Sequence, residues 1–176
     1  MIFVSAGHHQ EKKGACCEYF CEHDEAKIWA SFLDHYLGDN SLMVPSGTLK
    51  HKVNFINKYA SSRDIAVEIH FNAAVDSKGD NVGRGSETLY YPGSVRGKAL
   101  AEKIQSVLAD IFPPNRGAKE GWYRMNPSFG ADYFLQRTRC TALILEPDFI
   151  HRKEVIQSHR DAACKKLAEA LNALDG

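Results

Sequence analysis

The stretch Asp64-Ile-Ala-Val-Glu-Ile-His-Phe-Asn72 has the pattern of a β-strand in the middle of a sheet. Successive side chains of a strand point to opposite faces, so the stretch divides into two rows. One row is wholly apolar and the other becomes polar towards its end: Ile65, Val67, Ile69 and Phe71 against Ala66, Glu68, His70 and Asn72. Residues 64–72 are therefore predicted to form a central strand.

Strand and helix patterns alternate on both sides of this stretch. Further strands are predicted over residues 1–6, 42–44, 87–91, 118–125 and 141–146, and helices over residues 23–37, 48–60, 95–112, 130–137 and 153–174. Such alternation favours one layered α/β structure. We therefore expect a single α/β domain over residues 1–176, with a mixed, mostly parallel sheet of about six strands flanked by helices on both faces.

The composition is that of a globular protein without a strong charge of either sign. The 176 residues are 44% hydrophobic and 25% charged, and 22 basic side chains balance 22 acidic ones. This balance argues against a nucleic-acid partner, and the lack of a long apolar run argues against membrane insertion. The apolar N-terminus is too short for a signal peptide and has no basic segment before it. We therefore expect synthesis in the cytoplasm, and we favour a monomer.

Five cysteines are present, namely Cys16, Cys17, Cys21, Cys140 and Cys164. The odd number and the lack of a signal peptide argue against a disulfide framework. The spacing of Cys17 and Cys21 also occurs in structural zinc sites, but no second pair of cysteines accompanies it. Small buried thiols beside a turn are the expected state.

Three side chains suited to metal or proton chemistry follow predicted strands. His8 follows the first strand, His70 ends the central strand and Glu146 ends the last strand. Open α/β sheets place their sites in the crevice beyond the carboxyl ends of the strands. These side chains are therefore expected to converge.

Imidazole nitrogen and carboxylate oxygen both suit zinc, and a catalytic zinc site takes three protein ligands plus water. His8 and His70 supply two ligands, and Glu22 at the start of the first helix is the candidate for the third. A separate carboxylate must then take the proton of the attacking water, and Glu146 is the natural base. The residues therefore favour a metal-dependent hydrolase with Zn²⁺ as cofactor.

A series of short motifs resembles the N-acetylmuramoyl-L-alanine amidases of the amidase-3 type, which are zinc enzymes and often phage endolysins. In chain order the motifs are Ser5-Ala6-Gly7-His8-His9, Gly14-Ala15, Glu22, Glu68-Ile69-His70-Phe71-Asn72-Ala73 and Leu145-Glu146-Pro147-Asp148-Phe149. Two more motifs look especially like clostridial phage endolysin catalytic domains, namely Gly85-Ser86-Glu87-Thr88-Leu89-Tyr90-Tyr91 and Arg116-Gly117-Ala118-Lys119.

The resemblance, which runs from residue 2 to about residue 170, implies a role for each site residue. His8, Glu22 and His70 would bind zinc, and Glu146 would be the catalytic residue. The implied substrate is the amide between N-acetylmuramic acid and L-alanine in peptidoglycan. A phage or prophage enzyme that reaches the cell wall after release by a holin is the implied role, with no separate wall-binding domain in this length. A zinc peptidase and an inactive wall-binding module are the alternatives.

The third ligand is the least fixed part of this site. Glu68 stands where many family members have Ser or Ala, and it shares a strand face with His70. It either orients that imidazole or competes as a ligand. His23 and Glu25, beside Glu22, are further alternatives, although solvent-facing or capping positions are expected for both.

Other side chains are candidates for substrate binding. Asn72 either holds the strand end or contacts substrate. Arg116 and Lys119 form a basic pair that either binds a peptide carboxylate or sugar or is solvated. Trp122 and Tyr123 are expected in the core, with stacking on substrate as the alternative.

Overall fold

The computed structural model describes residues 1–121 and 132–175. Its strands are β1 (Ile2–Ala6), β2 (Cys16–Cys17), β3 (Phe20–Cys21), β4 (Ser41–Met43), β5 (Ile65–Ile69), β6 (Ser86–Tyr90), β7 (Asn115–Glu120) and β8 (Thr141–Glu146). Its helices are α1 (Glu22–Leu37), α2 (Leu49–Tyr59), α3 (Val95–Ile111), α4 (Tyr133–Arg137) and α5 (Lys153–Asp175), with a 3₁₀ turn over Gly38–Asn40. Among the described residues, no helix is long and apolar enough to cross a membrane.

Six strands form one sheet in the order β4-β1-β5-β8-β6-β7. Neighbouring strands are parallel except β6 and β8, which are antiparallel. Ile69 at the end of β5 lies opposite Ala6 of β1 and Leu145 of β8. The carboxyl ends of these three strands are therefore level, and the residues that follow them lie at one edge of the sheet.

Each face of the sheet packs against its own helices. Ile65, Val67 and Ile69 belong to a core shared with α1, α3 and α5. Ala66, on the opposite row of β5, belongs to a second core shared with α2 and α4. The predicted fold, a mostly parallel sheet with helices on both faces, is confirmed, and the alternation in residues 64–72 explains it.

The predicted boundaries of the strand at the edge of the sheet were wrong. β7 begins at Asn115 rather than at residue 118, and it ends at Glu120. Its polar sequence shows no apolar alternation because an edge strand is only partly buried. The predicted continuation to residue 125, together with Trp122, Tyr123 and the start of the helix predicted over 130–137, lies outside the described residues.

A disulfide joins Cys16 and Cys21, so the expectation of free thiols was wrong for these two residues. β2 and β3 form an antiparallel hairpin in which Cys16 lies directly opposite Cys21. Local pairing therefore closes the bond without a wider disulfide framework. Cys21 is consequently not available for the zinc site considered with Cys17, and Cys17, Cys140 and Cys164 are free.

Candidate metal centre and active site

Three side chains meet at the carboxyl edge of the sheet. Glu22 Oε2 lies 2.9 Å from His8 Nε2, and Glu22 Oε1 lies 2.8 Å from His70 Nδ1. One potential ligand atom from each of the three residues lies within 4.8 Å of the others. Glu22 is the first residue of α1, whereas His8 and His70 follow β1 and β5. The structure thus brings together the three residues predicted as zinc ligands.

Backbone amides fix the carboxylate of Glu22. Ala15 N–H donates to Oε2 at 3.2 Å, and Phe71 N–H donates to Oε1 at 3.1 Å. Each oxygen of Glu22 therefore meets one imidazole and one backbone amide. Gly14, with φ of 76°, lies so close that an added Cβ would stand 2.4 Å from Glu22 Oε2 and 2.5 Å from His8 Cδ2. Only glycine leaves room for both side chains.

The Gly7-His8 turn packs directly against His70. His8 has a left-handed backbone with φ of 56°, which is uncommon for a residue other than glycine. The amide of Gly7 donates to Ile69 O at 2.8 Å, which ties the turn to β5. A Cβ on Gly7 would lie 2.7 Å from ring atoms of His70. The strained turn is thus held by the strand that carries the second histidine.

Glu68 contacts the second ring nitrogen of His70. His70 Nε2 lies 3.1 Å from Glu68 Oε2. The other oxygen of Glu68 accepts from Lys52 Nζ at 3.0 Å and from Ser5 Oγ at 3.1 Å. Both Glu68 oxygens are therefore engaged, and Glu68 lies behind the imidazole rather than beside Glu22. This is the position of a group that orients a ligand, not of a rival ligand.

The alternatives His23 and Glu25 point away from the centre. His23 Nδ1 lies 2.7 Å from Gly7 O, and Glu25 Oε1 lies 2.7 Å from Arg160 Nη2. Their expected solvent-facing or capping positions were wrong, since both side chains are buried. The first turn of α1 packs against the loop that precedes it. The backbone N–H of His23 donates to Lys13 O in this loop at 2.9 Å.

Opposite charges control protonation in this cluster. Burial alone would raise the pKa of Glu22, but its hydrogen bonds with His70 and His8 lower that pKa to about 2. Burial likewise opposes the charged form of His70, yet its bonds to Glu22 and Glu68 raise the pKa of His70 well above its usual value. Burial of Glu68 is outweighed by His70 and Lys52, which bring the pKa of Glu68 to about 2. Glu22 is therefore held in the ionised state in which a carboxylate binds a metal.

The donor set fits a zinc ion. Two imidazole nitrogens and one carboxylate are ligands that catalytic zinc takes in proteins, and a carboxylate behind one imidazole is a common support. His8 Nε2 and His70 Nδ1 each lie within hydrogen-bond distance of one oxygen of Glu22. A shared cation would join these two nitrogens to that carboxylate. Within residues 1–121 and 132–175, no other group of three His, Cys, Asp or Glu side chains is close enough to share an ion.

Glu146, at the end of β8, has a carboxylate in a different state. Its Oε2 is buried and has no hydrogen-bond partner among the described residues. Burial raises the pKa of Glu146 to about 7; the charges of Glu87 and Glu22 act in the same direction, against His70 and Arg116. A carboxyl group whose pKa is near neutrality can both accept and donate a proton.

The predicted substrate-binding residues gather around Glu87. Its carboxylate accepts from Asn72 Nδ2 at 2.7 Å, from Arg116 Nη2 at 2.9 Å and from Lys119 Nζ at 2.6 Å. Glu87 lies directly opposite Glu146 in the β6–β8 pair. Arg116 and Lys119 are therefore not a purely solvated pair, because both contact a carboxylate next to the predicted base.

Glu87 and Lys52 are buried charged residues near the site that the sequence alone did not single out. In parallel strands the residues that follow each strand reach this edge, but β6 runs antiparallel to β8, so the amino end of β6 brings Glu87 to the same edge. Lys52 stands four residues before Ile56 in α2, and both are buried. A lysine on the apolar face of a predicted helix is the signal that could have identified it.

A His-Glu-His group beside a further carboxylate, at the carboxyl edge of an α/β sheet, is typical of metal-dependent hydrolases. Comparison with known proteins specifies the family: the family model described as N-acetylmuramoyl-L-alanine amidase matches residues 2–173. The chain therefore belongs to the N-acetylmuramoyl-L-alanine amidase family and is an amide hydrolase. Comparison with curated proteins gave no match.

Solved structures share the fold. An N-acetylmuramoyl-L-alanine amidase from Clostridium difficile is 21% identical, with 98% of this chain and 92% of that chain covered and a TM-score of 0.74. The catalytic domain of CwlV from Bacillus (Paenibacillus) polymyxa is 18% identical, with 99% and 93% covered and a TM-score of 0.73. The catalytic domain of an endolysin targeting Clostridia difficile is 25% identical, with 98% and 96% covered and a TM-score of 0.73.

Proposed function

We propose that this amidase is zinc-dependent and hydrolyses the amide between N-acetylmuramic acid and L-alanine in bacterial peptidoglycan. The observation that carries the proposal is the meeting of His8, Glu22 and His70 beside Glu146, whose Oε2 has no hydrogen-bond partner among the described residues. Family membership supports the choice of bond. When bound, zinc would polarise the scissile carbonyl and activate the attacking water.

The residues of the chain account for the remaining steps. His8, Glu22 and His70 hold the metal, and Glu146 takes the proton of the attacking water. Glu146 then donates that proton to the departing nitrogen of L-alanine, for which its pKa of about 7 is suitable. Because Oε2 of Glu146 has no partner among the described residues, no bond needs to break before it accepts the proton.

The ring of donors around Glu87 is proposed to contact the substrate. Arg116 and Lys119 remain partly exposed, with 27% and 45% of their side chains accessible, although both pair with Glu87. One guanidinium nitrogen of Arg116, Nη1, has no hydrogen-bond partner among the described residues. A carboxylate or carbonyl of the peptide stem is the kind of acceptor to which such groups donate hydrogen bonds.

The bond can be identified from the new amino termini that the protein releases in purified cell walls. Cleavage should create amino termini on L-alanine only, should stop after chelation and should return with added zinc. Termini on other residues would indicate a peptidase instead. Absence of zinc from the purified protein, with no activity after zinc is added, would contradict the proposal.

We also propose that the activity serves lysis by a phage or prophage. The protein would be made in the cytoplasm and would act on the wall after release. Its similarity to the catalytic domain of an endolysin, at 25% identity over 98% of the chain, supports this role. Expression in a bacterium should lyse the cells only when a membrane pore is also expressed, and lysis without the pore would contradict this route.

A further inference from the structure

A buried ion pair lies behind the candidate metal centre. Lys52 Nζ is 3.0 Å from Glu68 Oε1, and each residue is only 2% exposed. Lys52 also donates to the backbone carbonyl of Ala6, at the end of β1. Removing two charges from water is costly, and a pair of apolar residues would often be as stable. The hydrolysis of an amide by Glu146 does not by itself require this pair.

The pair is connected to the metal centre through one imidazole. Because Lys52 and Ser5 both donate to Oε1 of Glu68, Oε2 is left to face His70 Nε2 at 3.1 Å. An ionised carboxylate can only accept hydrogen bonds, so Nε2 must carry a proton. Because Nε2 keeps its proton for Glu68, Nδ1, which lies 2.8 Å from Glu22 Oε1, is the nitrogen that would give up its proton to a bound metal.

We propose that Lys52 is a positioning residue which, through Glu68, fixes His70 in the tautomer that binds zinc at Nδ1. This inference rests on the proposed function, since it assigns the ion pair to the same metal site. Lys52 and Ser5 hold Oε1 of Glu68 and so direct its other oxygen, Oε2, at the imidazole. Helix α2 thereby contributes to the metal centre without supplying a ligand.

Glu68→Gln tests the proposal because glutamine has one accepting atom where Glu68 has two. Lys52 and Ser5 would draw the amide oxygen to their side, so the NH₂ group would face His70 Nε2. This arrangement favours a proton on Nδ1, which zinc must displace. We expect the zinc affinity to fall by about 10- to 100-fold, the effect usual for losing a partner that orients a ligand.

The double variant Lys52→Met with Glu68→Gln should recover part of the lost zinc affinity. Without the ammonium group, the glutamine amide can turn its oxygen towards His70, and Ser5 Oγ can accept from the NH₂ group. Zinc affinity should therefore be higher in the double variant than in Glu68→Gln alone. A purely structural role for Lys52 predicts the opposite, because removing both charges would add to the disturbance. The double variant also leaves no unpaired buried charge, which favours its folding.

Glu25→Gln is the matched control. Glu25 is also a buried glutamate paired with a cation, Arg160, and it lies in α1 only three residues after Glu22. It does not contact His8 or His70 through any bond of the described residues. Its substitution should lower the melting temperature but leave the zinc affinity of the folded protein unchanged.

Zinc affinity is measured by competition with a chromophoric chelator, at a temperature where thermal unfolding shows each variant to be folded. The proposal predicts weak binding in Glu68→Gln, recovery in the double variant and normal binding in Glu25→Gln. If Glu68→Gln binds zinc as tightly as the wild type, or if the double variant binds no better than Glu68→Gln, the role of Lys52 is refuted while the zinc amidase stands. If the wild type itself binds no zinc, both proposals fail.

Discussion

Glu22 and Glu146 are carboxylates at the same edge of one sheet, yet their surroundings are opposite. Each oxygen of Glu22 meets an imidazole and a backbone amide, and its pKa is lowered to about 2. Oε2 of Glu146 has no partner among the described residues, and burial raises its pKa to about 7. A fully bonded carboxylate is thus a fixed, charged anchor, whereas an unbonded one remains able to exchange a proton.

Glu22→Ala should have the largest effect, because it removes the bonded carboxylate of this pair. Without the carboxylate, the two imidazoles lose the group between them, so we expect zinc affinity to fall by more than the roughly 100-fold typical of a supporting residue. Activity on cell walls should disappear with the zinc. Elemental analysis and loss of wall turbidity measure both effects. Asp24→Asn, two positions further along α1 and paired with Lys13, is the control and should keep its zinc.

Gly14→Ala should weaken the same anchor without removing a ligand. The new Cβ would stand 2.4 Å from Glu22 Oε2, on a backbone with φ of 76°. Gly79→Ala is the matched control, since Gly79 has φ of 87° and no atom within 4 Å of the added carbon. Both variants should lose roughly 1 kcal/mol of unfolding free energy or more through backbone strain, but only Gly14→Ala should lose zinc affinity. Equal zinc binding in the two variants would refute this account of Gly14.

Glu87→Gln tests the raised pKa of Glu146 through the pH dependence of activity. The charge of Glu87 adds to the effect of burial in raising the pKa of Glu146. A base must be ionised to act, so kcat/KM should rise with pH through the pKa of Glu146. Removing the charge of Glu87 lowers that pKa, and the acidic limb should move to lower pH by roughly one unit or less. A limb that stays in place or moves to higher pH would contradict the assignment.

Replacing both Cys16 and Cys21 by serine should have the smallest functional effect. The disulfide closes a short loop, for which chain entropy gives about 2 kcal/mol of stabilisation. Glu22 keeps its backbone donors Ala15 and Phe71 in this variant, so zinc binding should persist. The melting temperature of the oxidised wild type should exceed that of the variant. Identical unfolding curves would show that the disulfide does not stabilise the fold.

The fold followed from periodic burial, which a sequence records directly. The apolar row of residues 64–72 packs into one core and Ala66 of the other row packs into the second, because alternate side chains of a strand point to opposite faces of the sheet. β7 was placed less well because its edge position leaves it without an apolar row. The Cys16–Cys21 bond was missed because the number of cysteines says nothing about a local hairpin.

The candidate site likewise contains residues that the sequence pattern could place and residues that it could not. Glu22 begins a helix, Glu146 ends a strand, and His8 and His70 closely follow strands, so their convergence could be predicted. Zinc ligation itself stays a prediction. His23 and Glu25 were expected at solvent-facing or capping positions, whereas tertiary contacts bury them, with Gly7 in one case and with Arg160 in the other. Such contacts join residues far apart in the chain, so they cannot be predicted from a local sequence pattern.

The most direct test compares zinc content and bond cleavage in the wild type and Glu146→Gln. Both proteins should hold equimolar zinc, because Glu146 lies outside the group formed by His8, Glu22 and His70. Release of L-alanine amino termini from walls should fall by about 10²- to 10⁴-fold in the variant, since the proton acceptor is gone. Full activity in Glu146→Gln, or loss of zinc together with activity, would contradict the role of Glu146 as the base.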